Sequence, residues 1–278
     1  MEESREFWRH PCFRDLGMMK ARFTRHRYDL HTHPTYVVAL ITGGCERVRI
    51  GRHCSVAPVG TLIVVNPEEC HDGEPGAEGG WTYRTFYPSV SLLTAVATEL
   101  GQHRVPLFPR AFIDDREVAD AIAVAHEGSM SGDVVAAESS MLVALRQLIL
   151  RHGDLHDRPE PMETSGARRR LSVYRQIIEH DLGSGLDLAR LARAAGVTRF
   201  QVIRDFKKET GLTPSTFIRN CRARRAGLLI ERGLSLSEAS FAAGFADQSH
   251  LSRTFRSTHG ITPRMFQQIW SAGRSVSV

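Results

Sequence analysis

Two short stretches carry side chains of the kind that read a nucleic-acid duplex. Phe200, Ile203 and Arg204 form one; Gln248, Ser249, Ser252 and Arg253, with His250 beside them, form the other. Within each stretch the members recur at helical spacing, so one helix face presents them together. Arginine bonds bidentately to guanine in the major groove, glutamine to adenine, and serine to several acceptors. Thr198, at the start of the first stretch, and Lys207, Lys208 and Arg256, toward the helix ends, sit where backbone phosphates are met. Three histidines offer a different chemistry. His31 and His33 stand two apart, as strand residues on one side do, and His71 can supply a third nitrogen to a zinc or other first-row transition ion.

The elements that must hold the first set are written twice. Gly196 corresponds to Gly244, Phe206 to Phe255, Gly211 to Gly260, Pro214 to Pro263 and Phe217 to Phe266. In the first copy Leu188, Leu191, Ala192 and Ala195 follow amphipathic-helix spacing. Gly196 then supplies the left-handed residue of a tight helix end. Thr198 is placed to cap a second helix that buries Val202 and Phe206, and Gly211 and Pro214 end it. In the second copy Leu236, Ala239 and Ala243 pack, Gly244 turns, Asp247 caps, and Leu251 and Phe255 are buried. Each copy predicts a helix–turn–helix, and two on one chain can read two stretches of DNA.

Charge supports this independently. Of 36 Lys+Arg and 31 Asp+Glu in the chain, 19 and 8 lie from residue 166 onward, a net of +11 against −6 for the residues before. A polyanion attracts such a half, and its binding weakens with salt. Solvated faces of two small helical bundles use the same residue types; duplication and the charge split favour binding.

These residues resemble the AraC/XylS family of bacterial transcription regulators. The second copy carries the signature most fully: Gly244-Phe245, Asp247-Gln248-Ser249-His250-Leu251-Ser252-Arg253, Phe255, Gly260, Thr262-Pro263 and Phe266, where the family usually has tyrosine. Arg222, Ala226 and Leu229 fit the long helix that joins the modules in this family. The resemblance spans roughly residues 170 to 270. It implies two recognition helices in successive major grooves, about 34 Å apart, and RNA polymerase as a partner. The first copy, with Phe200 and Ile203, is expected to read shape and thymine methyls more than hydrogen-bond patterns.

The front half reads differently. Tyr36–Ile41 is a β-rich run ending at Gly43-Gly44; Arg47–Ile50 alternates; Leu62–Val65 runs into Asn66-Pro67; Trp81–Phe86 alternates again. Short strands punctuated by glycine and proline predict a sandwich or barrel. Residues 115 to 127 and 134 to 151 are helical in pattern, the latter with an apolar stripe of Met141, Leu142, Leu145, Leu148 and Ile149. His31-Thr32-His33-Pro34 followed by Gly43, and Gly60 followed by His71, resemble the two half-motifs of a cupin barrel, which in AraC-type regulators binds a small effector. Metal-binding cupins usually carry a glutamate after the paired histidines, where this chain has Tyr36-Val37-Val38. The expectation is therefore no resident cofactor. His33, Tyr36, Val38, His71, Trp81 and Tyr83 are the candidates to line an effector pocket.

The expected fold class is thus α+β in two domains: a cupin-like β-barrel followed by helices at 1–152, a linker at 153–168, and an all-α domain with two helix–turn–helix motifs at 169–278. Residues 153 to 168 hold prolines, glycines and charge with little apolar content. The run Arg168-Arg169-Arg170 is either a solvated helix start or a phosphate clamp. Five cysteines without a C-x-x-C pair, no apolar run of 18 residues and no secretory signal point to a cytoplasmic chain without a membrane span. Three functions compete. The leading one is a non-enzymatic, effector-controlled regulator, an activator by family habit, that binds double-stranded DNA and pairs as a homodimer through the helices after the barrel. The others are a metal-dependent cupin enzyme with a DNA-binding tail and a ligand-free architectural DNA protein.

Overall fold

The computed structural model describes residues 3–154, 165–182, 186–272 and 276–277. It divides into two compact units, one rich in β-structure and one helical.

The strands are β1 (Ser4–Arg9), β2 (Gly17–Phe23), β3 (Tyr28–His31), β4 (Val37–Ile50), β5 (His53–Pro58), β6 (Leu62–Val65), β7 (His71–Pro75), β8 (Trp81–Tyr87) and β9 (Phe112–Ile113). Three helices accompany them: α1 (Val90–Glu99), α2 (Arg116–Gly128) and α3 (Val134–His152). An antiparallel sheet runs β1-β2-β8-β4-β6-β9. The long strand β4 serves two sheets. Its first part pairs β8 and β6, as in Ala39 opposite Thr85 and Ile63. Its second part pairs β5 and β7, as in Val48 opposite Ser55 and Gly73. The sequence predicts two strands here, broken at Gly43-Gly44. The chain instead continues through a register shift between Ile41 and Gly43, with Gly44 at φ 64°. A bulge bends a strand without ending it, and glycine permits the left-handed residue that the bend requires.

Alternation along these strands decides what each face does. Met18, Val38, Leu40, Leu62, Val64 and Phe86 point one way, into an apolar core shared with Leu93 and Val96 of α1, Ile122 of α2, and Met141, Leu145 and Leu148 of α3. The opposite face is also buried: Met19, Ala21, Phe23, Ile41, Ile63, Tyr83 and Thr85 are all shielded from solvent. β1 and β2 lie outside the predicted strands because Ser4–Arg9 mixes charge with aromatics and Gly17–Phe23 lacks β-branched residues.

The helical unit contains α4 (Gly166–His180), α5 (Leu188–Ala194), α6 (Arg199–Thr210), α7 (Pro214–Glu231), α8 (Leu236–Ala242), α9 (Gln248–His259) and α10 (Pro263–Ala272). The start of α4 falls within the expected linker; residues 155–164 of that linker lie outside the described residues. The written repeat is a structural one. Thr198 caps α6 by accepting from the Gln201 N–H, and Asp247 caps α9 by accepting from the His250 N–H at 2.6 Å. Phe206 and Phe217 meet with ring centroids 5.2 Å apart, and their counterparts Phe255 and Phe266 also meet at 5.2 Å. Full burial of each such ring contributes about 2–3 kcal/mol. Proline opens α7, where its missing N–H costs no hydrogen bond.

Candidate nucleic-acid interface and ligand site

The buried stripe of α6 is Val202, Asp205 and Phe206, and that of α9 is Leu251, Thr254, Phe255 and Thr258. Geometry then forces the remaining positions outward. On α6, Phe200 is 77% exposed, Arg204 is exposed and Ile203 half-buried. On α9, Gln248, Ser249 and Arg253 are exposed, while His250 and Ser252 are half-buried. Lys207, Lys208 and Arg256 lie in the last turns, where cations also complement the helix dipole. Thr198 is exposed, with its hydroxyl engaged as the cap of α6.

A network with no signature in the sequence fixes α6. Arg170 of α4 grips the Asp205 carboxylate with Nε at 2.7 Å and Nη2 at 2.8 Å. Tyr174 Oη donates to the same carboxylate at 3.0 Å, and Gln201 Nε2 donates to it at 2.8 Å. Gln201 Oε1 in turn accepts from Arg204 Nη2 at 2.8 Å. A chain of hydrogen bonds thus runs from α4 to a base-reading candidate. The paired guanidinium holds the Asp205 carboxyl below the usual carboxylate range, so it stays charged. Arg170 therefore belongs to neither expected alternative for the arginine run: it is a structural partner of the buried Asp205.

A groove of about 510 Å³ is lined by Ile203, Thr213, Ser215, Arg219, Phe245 and His250, among others, and so touches both recognition helices. The imidazole of His250 stands edge-on to Phe245, with centroids 5.1 Å apart. Thr213, Ser215 and Arg219 belong to the start of α7 and escape a reading confined to the recognition helices. Their signal is the N-terminal turn of a helix, where N–H groups and hydroxyls face outward.

In the β-rich unit the effector candidates separate by strand face. Tyr36 and Val38 sit in the core against the helices, and the Tyr36 hydroxyl donates to the Pro106 carbonyl at 2.6 Å. That placement corrects their assignment to an effector pocket: strand alternation turns them away from the face that carries Tyr83. Trp81 and Tyr83 lie on that other face and, with Phe23, form an aromatic cluster with centroids 5.2 to 6.2 Å apart. Trp81 Nε1 and Thr85 Oγ1 are buried without a hydrogen-bond partner. Glu46, opposite Ala57 and Pro75, is buried on the inner side of β4, and burial with nearby Asp72 raises its carboxyl to about 8. Sequence reasoning misses Glu46, whose signal is a carboxylate at an apolar beat of an alternating strand, followed by Val48 and Ile50.

Of the expected histidines, His33 and His71 come together, with ring centroids 5.1 Å apart. His31 is the last residue of β3 and is buried. Cys12, Cys45 and Cys54 are free thiols, and among the described residues no helix is long and apolar enough to cross a membrane.

Comparison with known proteins agrees with this geometry. Residues 18–149 match the AraC-like ligand binding domain family, and residues 191–269 match a helix-turn-helix domain family. The chain is 30% identical over 251 residues to the transcriptional activator NphR of Rhodococcus, covering 84% of this chain and 70% of that protein. It is 24% identical over 245 residues to the HTH-type regulator YbfI of Bacillus subtilis, covering 86% and 85%. Among solved structures, ToxT from Vibrio cholerae superposes with a TM-score of 0.55 at 13% identity, covering 92% of this chain and 98% of that one. Unsaturated fatty acid-bound ToxT gives 0.52 at 10% identity, covering 96% and 95%. The chain belongs to the AraC family: it is a transcription regulator that joins an effector-binding domain to a DNA-binding domain with two helix–turn–helix motifs.

Proposed function

We propose that the chain activates transcription by reading two adjacent major grooves unequally, under control of a small molecule bound on the inner strand face of the β-rich unit. The observation that carries this is the contrast between two equivalent helix faces: Phe200 and Arg204 on α6, against Gln248, Ser249, Ser252 and Arg253 on α9. The second copy offers the denser set of hydrogen-bonding groups to base edges, and the first offers one arginine among apolar contacts. Ile203 and His250, which line the intervening groove with Ser215 and Arg219, face the strand that crosses between the two major grooves. Lys207, Lys208, Arg256 and Thr198 take phosphates.

The effector site consists of Trp81, Tyr83, His33 and His71, with Glu46 and Thr85 added. An aromatic wall beside a few polar groups is the usual make-up of a small-molecule site. ToxT, whose fold this chain shares, has been solved with an unsaturated fatty acid bound. The buried Glu46 and the orphaned Trp81 N–H favour a more polar ligand here. Val135, Val143 and Leu150 are exposed along α3 at spacings of 8 and 7 residues, an apolar face suited to a homodimer. RNA polymerase is the remaining partner of an activator working in the cytoplasm.

Footprinting of the full chain on its own promoter tests the reading. Protection of two neighbouring major grooves on one duplex face, weakened by Arg253→Ala with the fold intact, is expected. Equal affinity for random duplex at moderate salt overturns it.

A further inference from the structure

The inner strand face of the β-rich unit holds a buried acid with no counter-ion beside an aromatic wall. We propose that the effector is a small organic cation, a protonated amine on an apolar body, whose ammonium group pairs with the carboxylate of Glu46. This names the ligand class of the effector site described above and rests on that reading.

The first support is the acid itself. Glu46 is 7% exposed, and among the described residues no hydrogen bond or ion pair reaches its carboxyl group. Buried carboxyl groups are normally bonded or paired, because a bare one costs free energy. Arg5, buried on the same face, is already matched: its guanidinium lies 5.1 Å from the centroid of the Phe23 ring and pairs with Glu3 at 3.3 Å. Arg47 and Arg49, the cations next to Glu46 on β4, are exposed on the outer side, where they pair with Glu74 and Asp72. The partner of Glu46 must therefore come from outside the chain.

The second support is what stands beside it. Trp81 is the register partner of Gly44, and Glu46 follows two residues later. Indole and carboxyl are thus diagonal neighbours on one face, with no side chain at Gly44 between them. The rings of Trp81 and Tyr83 stack at 20° with centroids 6.2 Å apart, and Trp81 Nε1–H has no acceptor. Aromatic faces attract cations, tryptophan most strongly. The unpaired indole N–H selects a ligand that also carries an acceptor, such as a hydroxyl, close to its amine.

The third support is room. Ala57 stands opposite Glu46, Gly73 opposite Val48 and Ala21 opposite Tyr83, so small residues face the large ones. Charge then excludes an acid as the occupant: a ligand carboxylate would meet Glu46 with Asp72 close by, and like charges repel.

Proton balance distinguishes a cation from a neutral ligand. With no cation beside it, the Glu46 carboxyl keeps its proton up to about pH 8. An arriving ammonium ionises it, and the proton passes to the buffer. A neutral acceptor would take a hydrogen bond from the protonated carboxyl and release nothing.

The test uses the full chain and three probes that share a phenyl body and a hydroxyl but differ in charge: phenylethanolamine, phenylethanediol and mandelate. Calorimetry in buffers of different ionisation enthalpy counts the protons released. Phenylethanolamine at millimolar concentration should raise the melting temperature and release about one proton at neutral pH, with the release shrinking above about pH 8. Glu46→Gln should weaken its binding at least about tenfold, the effect of losing one charge-assisted hydrogen bond, and abolish the release. Trp81→Phe should weaken it a few-fold. Glu74→Gln, on the outer side of β7, should change neither. If Glu46→Gln fails to fold, as circular dichroism would show, proton release by wild type decides alone. Phenylethanolamine that does not bind, binds without releasing a proton, or binds a folded Glu46→Gln as tightly as wild type overturns the proposal. The effector-site reading stands if phenylethanediol or mandelate binds instead and Trp81→Phe weakens that binding. It falls with the proposed class if none of the three binds.

Discussion

Arg170 holds Asp205 through two parallel hydrogen bonds of 2.7 and 2.8 Å, and the carboxylate side chain it holds is only 1% exposed. Neither residue belongs to the base-reading face, yet the hydrogen-bond chain from Asp205 through Gln201 ends on Arg204. The ion pair therefore sets the position of the recognition helix and the direction of its arginine together.

Removing one partner leaves the other charge buried and unpaired. Arg170→Ala should destabilise the helical unit, because it leaves the shielded Asp205 carboxylate without its guanidinium. Asp205→Asn keeps the shape and loses the charge, so it should cost less stability while still loosening Arg204. The Asp205 pKa is depressed, so its stabilisation is present above the ordinary carboxylate value and is lost as pH falls through the lower folded value. Urea melts between neutral pH and pH 3 check this. A wild-type-minus-Asp205→Asn difference that does not shrink on acidification contradicts it.

The division of labour on α6 and α9 predicts two kinds of binding defect. Arg253→Ala, Gln248→Ala and Arg204→Ala should each cost about 1–3 kcal/mol on the preferred sequence and relax base preference. Lys207→Ala, Lys208→Ala and Arg256→Ala should weaken all duplexes alike. Each lysine or arginine lost should also reduce the slope of log affinity against log salt by about 1. Titrations on a specific and a scrambled duplex across a range of salt concentrations separate the two groups. A base preference unchanged by Arg253→Ala removes that residue from the reading set.

The two turn glycines look interchangeable in sequence and are not so in space. Gly196 and Gly244 both have positive φ, 63° and 84°. A Cβ on Gly196 meets nothing within 4 Å, whereas one on Gly244 would lie 2.1 Å from the Leu182 carbonyl oxygen. Gly196→Ala should cost about 1–2 kcal/mol, the penalty for a left-handed alanine. Gly244→Ala should exceed it, at roughly 3–5 kcal/mol, because backbone must move. Thermal melts of the two variants rank them, and equal melting temperatures refute the distinction.

The helical half is the more legible in sequence because its signals are local. Caps at Thr198 and Asp247, glycines at the turns, and the buried pairs Val202–Phe206 and Leu251–Phe255 lie within a few residues of one another. The Arg170–Asp205 pair is hidden because its partners are 35 residues apart and an arginine run reads as solvated surface. In the β-rich half the approach of His33 to His71 is visible, although the strand expected to carry both His31 and His33 ends at His31. The facing of Tyr36 and Val38 is not, because one residue of register inverts a strand face and Gly43-Gly44 disguises a bulge as a break. Glu46 is hidden for the same reason: once the strand is cut at Gly44, its inward position has no frame.

Glu46 gives the stability of the β-rich unit a pH dependence opposite to that of Asp205. Burial first, and the neighbouring Asp72 charge second, raise its carboxyl to about 8. Between the ordinary carboxylate value and about 8, the folded chain holds a proton that the unfolded chain releases. The unfolded state then binds fewer protons, so this contribution to stability falls as pH rises, by about 1.4 kcal/mol per pH unit across that window. Glu46→Gln keeps the shape and cannot ionise. It should melt close to wild type near pH 5 and several degrees higher above pH 8, with the gap opening steadily between. Asp72→Asn should lower the Glu46 pKa, because it removes the like charge. It also frees Arg49, whose Nε donates to Asp72 at 2.9 Å, so its effect is read from the midpoint of the pH profile and not from melting temperature alone. A Glu46→Gln advantage that is the same at both ends of the window would mean that Glu46 is charged in the folded chain throughout, with a cation or ligand group beside it.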